Sequence, residues 1–161
     1  MLARIRLVLQ EWEARSAAAD CPDGVDQLHR AAAALMIEAG RMDGDVAAAE
    51  QARIEVLLRR RFDLSEEALS SLMASAISIV DDAVELHGFT SALVKQLDHE
   101  ERIELVEMLW EVVYADGDLH PFEANLLRRV AGLLYVTDQE SGAARARALD
   151  RMNAGTENRT P

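Results

Sequence analysis

Six carboxylates stand at matched positions in this chain. Asp43, Asp45 and Glu50 lie in RMDGDVAAAE, and Asp116, Asp118 and Glu123 lie in YADGDLHPFE, 73 residues downstream. In each stretch two aspartates flank a glycine, and a glutamate follows five residues after the second aspartate. Hard oxygen donors so spaced could hold a divalent cation, with backbone carbonyls and water completing the shell. Calcium tolerates an irregular oxygen set best. The spacing is not that of an EF-hand, whose twelve-residue loop has its glycine sixth and its last carboxylate twelfth. Here the window is eight residues and the glycine is second.

The same residues also suit a purely structural role. Gly44 and Gly117 can take a positive φ and end a helix at C′. Ala47 and His120 then fall at N-cap, with Glu50 and Glu123 at the third helical position. A glutamate there accepts from the N-cap N–H and meets the positive end of the macrodipole. Capping accounts for the glycine and the glutamate. It leaves two aspartates per stretch as surplus charge.

Other chemistries find less support. His29, His87, His99 and His120 stand in no Glu-x-x-His arrangement, which argues against a di-iron bundle site. Cys21 has no CxxC partner, so zinc is disfavoured, and no hydroxyl has a visible base and orienting group. Ser65 and Thr137 read as helix caps instead. Glu100, Glu104, Glu107 and Glu111 run down one helix face. A solvated face is the simpler reading of them, and a docking strip for a basic partner the sharper one. Trp12 and Trp110 are expected in the core, although Trp12 could also anchor a partner or a lipid surface.

The elements that must position these groups are helices. Leu2, Ile5, Leu9 and Trp12 recur at helical spacing, predicting a helix over 2–18. A second is expected over 25–42, with Leu28, Ala32, Leu35, Met36 and Ala39 on one stripe. A third runs through EQARIEVLLRRRF, burying Ile54, Leu57 and Leu58. Ser65 caps a fourth over 66–87, Gly88 breaks the chain, and FTSALVKQL forms a short fifth. Asp98 and Glu101 frame the start of a sixth, Pro121 sits at the first position of a seventh, and Thr137 with Glu140 opens an eighth. No strand alternation competes, so the fold class is all-α: a compact bundle of seven to eight helices.

Composition agrees. The 161 residues are half hydrophobic, yet aromatics are only 4%, a mixture in which alanine lets helices approach closely. The organisation expected is an amphipathic helix over 1–20, a helical domain over 25–150 and a disordered tail over 151–161. A net charge of −12 repels phosphate backbones, so nucleic acid is not an expected partner. A single cysteine suits a reducing compartment, and MLARIRLVLQEW is too short in its apolar run for a signal peptide. These features point to a cytoplasmic protein with membrane association at most indirect.

Sliding residues 35–62 forward by 73 matches Leu35 and Met36 to Met108 and Leu109, Ala39 to Val112, Leu57 to Val130 and Phe62 to Tyr135. Each unit is an apolar helix, an acidic stretch and a second apolar helix, so a duplicated helical hairpin lies inside one bundle. If helices alternate up and down, both acidic stretches fall at the same end.

The stretch LVEMLWEVVYADGDLHPFEANLLRRVAGLL, with EAGRMDGDVAAAE and LLRRRFDLSEE, resembles the tellurite-resistance TerB-like family over about residues 25–140. That resemblance implies a compact all-helical domain related to the N-terminal region of a DnaJ-like membrane co-chaperone. It further implies association with tellurite resistance and stress response, with metal binding suggested for some members. The first unit departs from the family pattern at Met42, where a small residue is usual. Two functions follow. One is a non-enzymatic acidic module that takes divalent cations, calcium foremost, at Asp116, Asp118 and Glu123 and at Asp43, Asp45 and Glu50. The other is a metal-indifferent scaffold that binds proteins through its acidic surface.

Overall fold

A computed structural model describes residues 3–15, 27–41, 48–114 and 121–157. They form α1 (Ala3–Arg15), α2 (Gln27–Arg41), α3 (Ala48–Phe62), α4 (Glu66–Asp81), α5 (Ala83–Gln96), α6 (His99–Val113), α7 (Pro121–Leu133) and α8 (Asp138–Glu157). No strand occurs among the described residues, and no helix there is long and apolar enough to cross a membrane.

Two helices form the centre, and they are the first helices of the two repeat units. Ala31, Ala32, Ala33 and Ala34 of α2 are all fully buried. Four successive side chains no larger than a methyl let neighbours close on every side, so α2 packs against α1, α3, α4 and α7. In α6 the same position is reached with larger residues. Leu105, Val106, Leu109, Val112 and Val113 are fully buried, and a helix apolar around most of its circumference must lie inside. Leu35, Leu57, Leu109 and Val130, on the apolar stripes of the two repeat units, are all at most 1% exposed.

The N-terminal helix belongs to this core. Ile5, Val8, Leu9 and Trp12 are buried, and the Trp12 ring meets Phe89 edge-on at 5.4 Å. This contact explains where α5 differs from the expected short helix. Gly88 does not break the chain; it lies inside α5, directly beneath Trp12. A Cβ there would stand 3.2 Å from the indole Nε1. The break comes earlier, at Asp82, which closes α4 and caps α5 by accepting from the N–H groups of Val84 (2.9 Å) and Glu85 (3.2 Å).

The other starts are as the cap residues predict. Ser65 accepts from Ala68 N–H, and Asp98 and Glu101 form a reciprocal box, as do Thr137 and Glu140. Pro121 opens α7. Two helices end on residues with left-handed backbones. Asp63 (φ 50°) follows α3, with Leu64 N–H reaching back to Arg59 O. Tyr135 (φ 54°) follows α7, with Val136 N–H reaching Ala131 O. The repeat register therefore slips at its last residue. Phe62 is still helical and stacks on His29 at 4.0 Å, whereas its sequence counterpart Tyr135 is already past the helix and 71% exposed.

The far end also differs from expectation. The tail predicted over 151–161 is helical as far as Glu157, continuing α8. Leu149 and Met152 pack against the core and carry the helix past residue 150. Arg151, which a tail reading treats as solvated, is engaged by α6. Residues 158–161 lie outside the described part.

Candidate functional site

The two hairpins pack through α2 against α7 and α3 against α6. Because α3 begins at Ala48 and α7 at Pro121, Glu50 and Glu123 are each the third residue of their helix, as the repeat predicts. Asp43, Asp45, Asp116 and Asp118 lie outside the described residues, as do Gly44, Gly117 and the expected N-caps Ala47 and His120.

Glu123 is the informative member of the set. Its side chain is fully buried, and its Oε1 accepts from Nε of Arg53 in α3, 70 residues away. A carboxylate without water must be paired, and a guanidinium from the other repeat unit pairs this one. The contact ties the second turn of α3 to the first turn of α7 through one long side chain. Glu50 is only part-buried, so the two units are not electrostatically equivalent. Sequence reasoning misses Arg53, because its partner lies in the other unit and no local spacing signals it. Among the described residues no group of three or more His, Cys, Asp or Glu is placed to hold a metal ion.

The glutamate strip of α6 is not a solvated face along its whole length. α8 runs parallel to α6, since the pairs His99–Glu140 and Glu107–Arg147 rise together along both helices. Glu107 is buried and uses both oxygens, one on Arg147 Nε (2.8 Å) and one on Arg151 Nη2. Glu111 bridges Arg151 of α8 (3.1 Å) and Arg61 of α3 (2.5 Å). Arg145 lies over the rings of Trp110 (5.4 Å) and Tyr114 (5.8 Å) and donates to the Tyr114 hydroxyl. Trp110 Nε1 donates to Ser141 Oγ at 3.1 Å. Half the strip thus holds α8 in place. Glu100 remains exposed at its other end.

At the start of α8, Glu140 accepts from the His99 ring (2.6 Å) and from Thr137 N–H (2.9 Å), which hold its carboxyl at a pKa of about 2. Glu38 of α2 behaves oppositely: burial pushes its pKa up, against the pull of Arg41.

An all-helical bundle built on a duplicated hairpin, with an acidic stretch between the helices of each copy, defines the class. The model of the family described as tellurite resistance protein TerB matches residues 29–146, and the chain belongs to that family. Neither curated proteins nor solved structures yield a match.

Proposed function

We propose that this TerB protein is a non-enzymatic, cytoplasmic module that takes up a divalent cation, calcium foremost, at its acidic stretches. Asp116 and Asp118 with Glu123 make the principal ligand set, and Asp43 and Asp45 with Glu50 the weaker one. The observation that carries this reading is the Arg53–Glu123 contact, which links the glutamate of the second stretch to α3 of the first hairpin. A cation drawn to Asp116 and Asp118 competes with Arg53 for Glu123, and that competition shifts α3 against α7. The output is then a change in the surface offered to protein partners, in a stress or tellurite-type response. The metal-indifferent scaffold reading draws on the net charge of −12, but Glu107 and Glu111 are already bound by the chain's own arginines.

Thermal unfolding in chelator, then in calcium, magnesium and manganese, tests the reading. A ligand that binds the native state alone at a hundredfold excess over Kd stabilises by about 2.7 kcal/mol. The melting temperature should rise with calcium in the parent and stay fixed in the Asp116→Asn, Asp118→Asn variant. Equal response in both proteins would place the cation elsewhere.

A further inference from the structure

A cleft of about 580 Å³ opens between α5 and the C-terminal ends of α2 and α7. Its long wall is one face of α5 from Ala83 to Lys95, its opposite wall is Gly132, Leu133 and Tyr135, and Glu38 of α2 contributes to the lining. The volume falls within the range of small-molecule sites.

Three features distinguish it from a surface furrow. Glu38 is part-buried, and among the described residues it has no hydrogen bond or ion pair. Arg41, one turn further on, is committed to Asp81 at 2.5 Å. That bond also pins the end of α2 beside the start of α5, so Glu38 lies at the Ala83 end of the cleft. Second, the middle is apolar, supplied by Leu86, Val94 and Leu133. Third, Tyr135 stands 71% exposed at the rim on a left-handed backbone, a conformation that glycine or asparagine adopts more readily. Lys95, the chain's only lysine, marks the far end, roughly 18 Å from Ala83 along the helix axis. His87 is on the same wall, 3.5 Å from Ser91 Oγ.

We propose that this cleft binds a small organic amine, its ammonium on the Glu38 carboxylate and its aliphatic body along Leu86, Leu133 and Val94. A part-desolvated carboxylate with no hydrogen bond among the described residues gains most from a cation that brings its own donors. Tyr135 adds an aromatic ring to the lining, a surface that attracts a cation. Lys95 repels an ammonium from the opposite end and so fixes the ligand's direction. The protein's acidic surface raises the local concentration of cations generally. Neither Glu50 nor Glu123 lines this cleft, and neither proposal depends on the other.

The test is an amide NMR titration of the full chain with hexylamine, hexan-1-ol and hexanoate, which share a body and differ in head group. Hexylamine should shift Thr90, Leu133 and Tyr135 saturably and bind at least about tenfold tighter than the other two, a factor within reach of one charge-assisted hydrogen bond. Glu38→Gln should reduce hexylamine to the level of the alcohol while the spectrum keeps its native dispersion. Gly132→Leu, whose Cβ would meet nothing within 4 Å, should weaken the amine independently of Glu38. The proposal is overturned if none of the three ligands saturates, or if alcohol and amine bind alike. It is equally overturned if hexanoate binds tightest, or if Glu38→Gln leaves amine affinity unchanged.

Discussion

Two glutamates show how position sets the role of one residue type. Glu123 is fully buried and bridged to Arg53, so removing the guanidinium takes a charge-assisted bond from a carboxylate that cannot reach water. Arg53→Ala should destabilise by about 1.5–3 kcal/mol, measured by denaturant unfolding, whereas the same change at exposed Arg59 should leave the midpoint in place. Glu38 has the opposite balance. Burial raises its folded pKa above the ordinary value, so its charged form opposes folding. Below the unfolded pKa the group is protonated in both states and imposes no penalty. Stability is lost as pH rises through that value to the folded pKa. Glu38→Gln should therefore match the parent in acid and exceed it at neutral pH, in paired thermal melts. Arg53 and Glu38 also mark what local reading misses: one finds its partner across 70 residues, and the other is set apart by its burial.

At the scale of the helix, most starts were legible because a cap is a local pattern. Ser65, Asp98, Pro121 and Thr137 each open the helix their neighbours predict. Local reading puts the break between α4 and α5 at Gly88, because glycine is the stronger punctuation in isolation. Asp82-Ala83-Val84-Glu85 carries the capping signature three residues apart, and that signal could have placed it. The packing reason for Gly88, the indole of Trp12 overhead, is tertiary and has no local trace. Trp12→Ala should then cost about 3–5 kcal/mol, the range for a buried aromatic, and deleting α1 should lower the melting temperature sharply. The start of α8 responds to acid. Glu140 is held down to about 2 by His99 and Thr137, so its contribution is present above the unfolded carboxylate pKa and lost as pH falls towards 2. Glu140→Gln should remove that part of the acid dependence, seen as a flatter stability curve between pH 4 and 2.

Across the whole molecule the duplicated hairpin organises the core, with α2 and α6 at the centre and α1, α4, α5 and α8 filling in around them. Leu109 sits on the inner face of α6 and is fully buried, so Leu109→Ala should cost about 2–5 kcal/mol in equilibrium unfolding. The fold class could be read from apolar stripes that repeat at helical spacing. The docking of α8 on α6 could not, because Arg145, Arg147 and Arg151 look like solvated charge until their partners Tyr114, Glu107 and Glu111 are in place. The acidic stretches were visible as a pattern, and the fold adds that the helices after them are joined by Arg53 and Glu123. Isothermal calorimetry of the full chain with calcium is the most direct measurement of what that junction does. Saturable heat at up to millimolar calcium, abolished by Asp116→Asn with Asp118→Asn and altered by Arg53→Ala, is the predicted result. No heat with calcium, magnesium or manganese, or heat that survives loss of both aspartates, would contradict it.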